Sequence, residues 1–434
     1  MSAYLISGGS LVDQSGVRSG DLRVRDGVIV EVGQNLEIQG DEELVNASGA
    51  HVMSGLVDLH THLREPGGEE AETITTGSRG AALGGYTAII AMPNTTPTID
   101  SPSMVRDMLA LAQNALCEVI PAAAMTVGRR GELLTPMGEL AAMGVRMFTD
   151  VGNGVQNPAM MRSIMEYATG LHAVTGGQRL VLAQHCEVEA LSAGGHMHEG
   201  EWSSRLGIGG QPTEAETLMM LRDFVLAKRT GAHVHVQHVS TAEGVELIRQ
   251  AKADGLRVTA EAAPQHFTLT HAACASYDPV FKVNPPLRTE IDREAVIAGL
   301  IDGTIDAIAT NHAPHEPHTK EFPFDQAPAG MLGLETALAL TLTKLDLPIE
   351  QVAALMSWNP ARIAGIDDRH GLAIQPGVPA NLCVVDTTHE WVVAGEEMAS
   401  RSRNTAFEGE TLTGRVRHTV SAGELVVQDG MAQR

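Results

Sequence analysis

The stretch Gly55-Leu-Val-Asp-Leu-His-Thr-His-Leu-Arg-Glu-Pro-Gly67 decides how this chain folds. It reads as a short apolar strand running into polar chemistry at its carboxyl end. Side chains alternate faces along a strand, so Asp58, His60 and His62 are expected to point one way. Two imidazoles on one buried face are costly without a partner, and a divalent metal accepts both at this spacing. A pair of hydrogen-bonded core histidines is the alternative. Arg64 and the Pro66-Gly67 stop directly behind the pair favour the metal.

Outward from this stretch the texture is periodic. Apolar runs at Gly55–His62, Thr87–Met92, Glu118–Met125, Val145–Thr149, Leu180–His185, His233–His238, Arg257–Ala262 and Ile305–Thr310 alternate with helix-length amphipathic segments. Met104–Ala115, Met160–His172, Glu214–Lys228 and Ala242–Ala253 are the clearest of those helices. Near-continuous apolar runs mark buried parallel strands, and eight β-then-α units predict a closed (β/α)₈ barrel. An open doubly wound sheet is the rival, weakened because no Gly-x-Gly-x-x-Gly opens the first helix. Both chain ends read differently. Tyr4–Ile6, Leu22–Arg25 and Val28–Val32 are β-like, with a hairpin signal at Asp26-Gly27, and Ala380–Asp386, Gly414–Val420 and Glu424–Val427 resume that texture. Residues 1–53 and 370–434 are therefore expected to form one small β-sandwich beside a barrel of residues 54–369. The Pro/His-rich segment Ala313–Pro328 is the best candidate for a mobile active-site loop.

Bulk composition narrows the function classes. The 434 residues are 43% apolar and carry a formal charge of −23 with no basic stripe, which argues against nucleic acid and anionic membrane as partners. Cys117, Cys186, Cys274 and Cys383 are dispersed and form no Cys-x-x-Cys pair, so neither a disulfide framework nor a thiolate zinc site is implied. No signal pattern or spanning run is legible, and a cytoplasmic protein is expected.

Polar residues cluster at the carboxyl ends of the candidate strands, where barrel active sites sit. They include Asn94 in Met92-Pro-Asn-Thr-Thr-Pro97, His185 in Gln184-His-Cys186, His238 in Val236-Gln-His-Val-Ser240, and Asn311 and His315 in Ala309-Thr-Asn-His-Ala-Pro-His315. By strand parity His233 and His235 face away from His238 and read as structural.

Taken together, these segments and Phe281-Lys-Val-Asn-Pro-Pro-Leu-Arg288 resemble dihydroorotase of the long bacterial type, in the amidohydrolase superfamily, nearly end to end. The resemblance implies a metal-bearing (β/α)₈ barrel with a β-sandwich. It also implies reversible cyclisation of N-carbamoyl-L-aspartate to L-dihydroorotate in pyrimidine synthesis. His60, His62, His185 and His238 match the family's imidazole metal ligands, and one or two zinc ions are the expected cofactor. Arg64, Asn94, Asn284 and His315 match its substrate-binding residues. A homodimer is the expected assembly, and aspartate carbamoyltransferase is a candidate partner.

The chain departs from the family at four places. Asn311 stands where the family has an aspartate that binds metal and shuttles the proton; a carboxamide is a poor ligand and no base near neutral pH. Val151 replaces a ligating aspartate after Phe148-Thr-Asp150, and Asp150 is expected to point the other way. Gln265 interrupts the usual Pro-His-His, and Ala329 replaces a phenylalanine. No lysine occupies the strand-four position that hydantoinases and allantoinases use. Three readings stay open: a working dihydroorotase with an altered metal centre, an impaired homologue acting as a structural partner of aspartate carbamoyltransferase, or a different cyclic amidohydrolase with another base, which the retained substrate-carboxylate set disfavours.

Overall fold

Eight parallel strands appear among the described residues: β1 (Leu56–Thr61), β2 (Tyr86–Ala91), β3 (Glu118–Pro121), β4 (Met147–Phe148), β5 (Val181–Gln184), β6 (His233–Val236), β7 (Val258–Ala262) and β8 (Ala307–Ile308). The computed structural model describes residues 3–173, 175–177 and 180–434. Continuous ladders run β1-β2-β3 and β4-β5-β6-β7-β8. Parallel bridges Ala123–Phe148 and Thr61–His312 join the two ladders at both seams, so the sheet closes and the open-sheet rival falls.

The period-2 pattern explains the closure. Val57, Leu59, Ala88, Ile90, Val181, Ala183 and Ala307 form one apolar cluster, while Leu56, Ile89, Leu182, Val234, Val258 and Ile308 pack with helix residues such as Met161, Ile164, Met219 and Ile248. Both faces are buried, which is why the strands read as continuous apolar runs.

The expected helices are present with shifted ends. Pro102 and Pro158 each sit in the first turn, where a missing N–H costs nothing, so those helices span Pro102–Leu111 and Pro158–Gly170. Ala242–Ala253 keeps its expected bounds, capped by Thr241. One helix, Ile74–Leu83, has no clear sequence signal: its Thr- and Gly-rich stretch has low propensity, and a capping box at Thr73 starts it.

Both chain ends meet in one nine-stranded sheet. Ala3–Asp13 pairs with Gly16–Arg25 and with His51–Ser54, and His51–Ser54 pairs in turn with Leu382–Val392. Tyr4, Ile6, Leu22, Val24, Val52, Leu382 and Val420 share its core. Asp26 (φ 50°) and Gly27 (φ 83°) make the tight turn expected between the second and third strands.

One local expectation fails. The β1–β2 register shifts between Asp58 and Thr61, so Asp58 does not share a face with the two histidines. Its carboxylate accepts from Thr310 N and Oγ1, each at 2.7 Å, and from Thr61 Oγ1.

Candidate active site

The strand ends bring four imidazoles together. Ring centroids lie 5.2 Å apart for His60–His62, 5.0 Å for His60–His238 and 4.8 Å for His185–His238. All four are buried. Three have one ring nitrogen engaged away from the cluster. His60 Nδ1 is 2.8 Å from Glu261 Oε1, His62 Nδ1 is 2.8 Å from Asn94 Oδ1, and His185 Nε2 is 3.1 Å from Glu187 Oε2. His60 Nε2 is buried without a partner.

The donor set fits a divalent ion. His185 Nδ1 and His238 Nε2 stand 3.0 Å apart; two nitrogens sharing one tetrahedral zinc stand about 3.3 Å apart. Burial pushes His62 and His238 well below the usual imidazole range, helped by Arg64 and His60 for the first and by His185 and His60 for the second. Neutral imidazole is the ligand form. Among the described residues, no three His, Cys, Asp or Glu side chains stand in a ready chelating array.

Asn311 and Val151 stand at the two places where the resembled family carries a carboxylate, and the nearby Asp150 and His266 are engaged elsewhere. Asn311 donates from Nδ2 to Asn284 O at 3.2 Å. Val151 packs in the apolar cluster with Leu59, Met92 and Ala183. Asp150 is turned away, accepting from Met125 N at 2.8 Å, Thr126 N at 3.1 Å and Thr126 Oγ1. His266 binds Pro285 O at 2.9 Å, and burial lowers it to about 4. Gln265 Nε2 is buried and unpartnered.

The expected substrate residues are half-buried and tied by hydrogen bonds to the imidazole cluster or to the loop after β8. Arg64 donates from Nε to Pro314 O at 2.9 Å and has Nη2 3.4 Å from His315 Nε2. His315 Nε2 donates to Ala329 O at 2.8 Å; burial and the charges of Arg64 and Lys320 push it down to about 3, so it is neutral. Asn284 Nδ2 donates to Glu187 Oε2 at 3.0 Å, which ties the substrate set to the imidazole cluster.

Arg64 (φ 63°), His238 (φ 34°) and Asn311 (φ 47°) all occupy left-handed backbone, a conformation that persists only where the surroundings over-determine it. Buried carboxylates do so at the last two. Glu216 accepts from Ser240 N at 3.2 Å, Thr241 N at 3.1 Å and both of their hydroxyls, two and three residues after His238. Asp58 holds Thr310, directly before Asn311. Asp58→Ala leaves the Thr310 N–H buried and unpaired, and is expected to lower unfolding free energy by about 3 kcal/mol in chemical denaturation.

Several residues behind the site carry no motif of their own. Glu261 bridges His60 and, at 3.0 Å, His235 Nε2, so His235 stands directly behind the cluster. Burial opposes ionisation of Glu261, but hydrogen bonds from His235 and His60 outweigh it and hold the carboxyl at about 2. The available signal was a charged residue inside the buried run Val258–Ala262.

Residues 49–244 match a family model described as dihydro-orotase-like. The chain is 44% identical to a dihydroorotase of Pelotomaculum thermopropionicum over 431 residues, covering 98% of each chain. It is 45% identical to a dihydroorotase of Mycobacterium tuberculosis over 417 residues, covering 94% of this chain and 95% of the relative. Among solved structures, the L-hydantoinase of Arthrobacter aurescens superposes with a TM-score of 0.88 at 25% identity, covering 100% of this chain and 98% of that one.

Proposed function

The chain belongs to the dihydroorotase family, and from that premise we propose that it interconverts N-carbamoyl-L-aspartate and L-dihydroorotate in pyrimidine synthesis. The observation that carries this reading is the buried four-histidine cluster beside Arg64 and Asn284, with His60, His62 and His185 each anchored through the nitrogen away from the cluster. A metal ion belongs to the family's chemistry, and zinc is the ion we propose for the four imidazoles. When bound it would polarise the amide carbonyl and supply hydroxide near neutral pH.

The chain's own residues account for binding and orientation. Arg64 offers the substrate carboxylate a planar guanidinium fork, held in place by the Pro314 carbonyl. Asn284 and Asn94 sit where amide groups would hold the ring, and each is tied to a metal-site histidine: Asn94 to His62, Asn284 through Glu187 to His185. Neutral His315, its Nε2 hydrogen committed to Ala329 O, presents Nδ1 as an acceptor. Asn311 occupies the place of the proton shuttle and has no group that takes up a proton near pH 7.

We further propose the division into residues 1–53 with 370–434 and 54–369, a cytoplasmic location, a homodimer, and contact with aspartate carbamoyltransferase. Sedimentation and co-purification test the last two. The function itself is tested by assaying metal content and dihydroorotate hydrolysis on one purified sample, beside Arg64→Met. Turnover with bound metal, and a loss in kcat/KM of about 30-fold or more in the variant, is expected from removing a charge-assisted contact to a carboxylate. A metal-replete parent without turnover would overturn it.

A further inference from the structure

The loop that follows β8 is pinned rather than loose. At its feet, Asn404 Nδ2 donates to Ala313 O at 3.0 Å and Gly330 O at 3.1 Å, while Asn404 Oδ1 accepts from His315 N at 3.2 Å. Along its length two lysines act as clasps. Lys282, on the segment that carries Asn284, donates to Asp325 O at 3.0 Å. Lys320 reaches out of the loop to Pro279 O at 3.0 Å and back to Pro328 O at 2.7 Å.

Among the described residues neither clasp forms an ion pair: Lys252 and Lys344 pair with Asp306 and Glu410, whereas Lys320 holds two backbone carbonyls and Lys282 one carbonyl, with the Phe324 ring 6.0 Å from its ammonium. With Arg64 they form a cationic rim on a protein of net charge −23. Ammonium groups withdrawn from water with no carboxylate paired directly to them are costly unless something anionic completes the site. Arg64 lies against the foot of the same loop, its Nε donating to Pro314 O at 2.9 Å with Nη2 3.4 Å from His315 Nε2, so the loop lysine and the guanidinium serve one side of the site.

We propose that Lys320 is a positioning residue for a carboxylated substrate: it clasps residues 313–328 against Pro279 beside Arg64 and takes its counter-charge from the substrate. This rests on the dihydroorotase reading and deepens it. The cationic rim selects the carboxylated ring over a neutral cyclic ureide, which brings no charge to complete the site. An ammonium has three donors; two are committed to carbonyls, and the third is free to turn towards the bound anion.

The clasp is also poised for pH. Burial, with the charge of Lys282, brings Lys320 down to about 7; Asp278 pulls it back up and Arg64 pushes it lower. Asp325 is the remaining acidic neighbour, acting on Lys282. Below pH 7 the ammonium holds both carbonyls strongly; above it the amine holds them weakly, so KM for dihydroorotate is expected to rise as pH passes upward through 7.

The test uses the metal-loaded full chain with Lys320→Met and Lys320→Arg. In the methionine variant, KM for dihydroorotate is expected to rise about 10-fold, the size of one charge-assisted contact, with a smaller fall in kcat. Hydrogen exchange is expected to quicken in residues 313–328 alone. Lys320→Arg should restore most of the affinity at pH 7 and flatten the pH dependence of KM, which a purely structural role would not do. An unchanged KM in Lys320→Met overturns the proposal even where exchange quickens. Should the parent lack turnover, the reading of its activity fails separately. The same comparison made on dihydroorotate affinity by calorimetry still decides the role of Lys320.

Discussion

Asn311→Asp is expected to raise dihydroorotate hydrolysis by about 10²–10⁴-fold, the usual worth of a positioned acid–base group. The backbone already suits it: φ at Asn311 is 47°, a region that Asn and Asp tolerate better than other side chains with a Cβ. Thr310, held by Asp58, fixes the approach to that position. The one contact that changes is with Asn284. The amide now donates to its carbonyl at 3.2 Å, and a carboxylate oxygen there meets like charge, so it turns away from that carbonyl. Adding a carboxylate next to the four imidazoles also strengthens the hold on a cation, so bound metal is expected to rise with activity. Steady-state assays and metal analysis on parent and variant side by side decide this. Equal rates in both would mean that proton transfer runs through a group other than residue 311.

Much of this arrangement is legible in the chain, and the limits are physical. The barrel is readable because both faces of each strand are buried, so apolar runs stand out against amphipathic helices. Four of the site histidines are readable because strand ends put them where barrel chemistry sits. Parity fails past the strand ends: β6 stops at Val236, and His238 at φ 34° turns back to His185, so face counting says nothing about it. It likewise fails within β1, where the register shift separates Asp58 from His60. The supporting carboxylates are harder still. Glu187, Glu216 and Glu261 act through contacts 2, 24 and 201 residues away in sequence, on His185, Ser240 and His60. Only Glu261 carries a local signal, a charge inside the apolar run Val258–Ala262; nothing local distinguishes Glu187 or Glu216 from a glutamate on a solvated surface. The lysine clasps are invisible for the same reason, because their acceptors are backbone carbonyls of distant segments.

Glu261→Gln is expected to weaken metal binding by about 10–100-fold while leaving the fold intact, the range seen when the groups behind metal ligands are changed. The carboxylate takes one hydrogen from His60 Nδ1 and one from His235 Nε2, at 2.8 and 3.0 Å. Holding the hydrogen on His60 Nδ1 leaves a lone pair on Nε2, the buried nitrogen that faces no other partner. A glutamine has one acceptor and one donor end. If its oxygen meets His60, its amide faces His235, which must shift its own hydrogen to Nδ1 beside Thr259 Oγ1 at 2.9 Å. That arrangement is satisfied but uncharged, and the loss is then near the lower end. If its amide meets His60, the imidazole hydrogen moves to Nε2 and the lone pair needed for the metal is gone, which gives the larger loss. Chelator competition on the purified variant reads the affinity directly, independent of turnover. Affinity equal to the parent's would mean that the Glu261 carboxylate neither orients His60 nor offsets the charge of the ion.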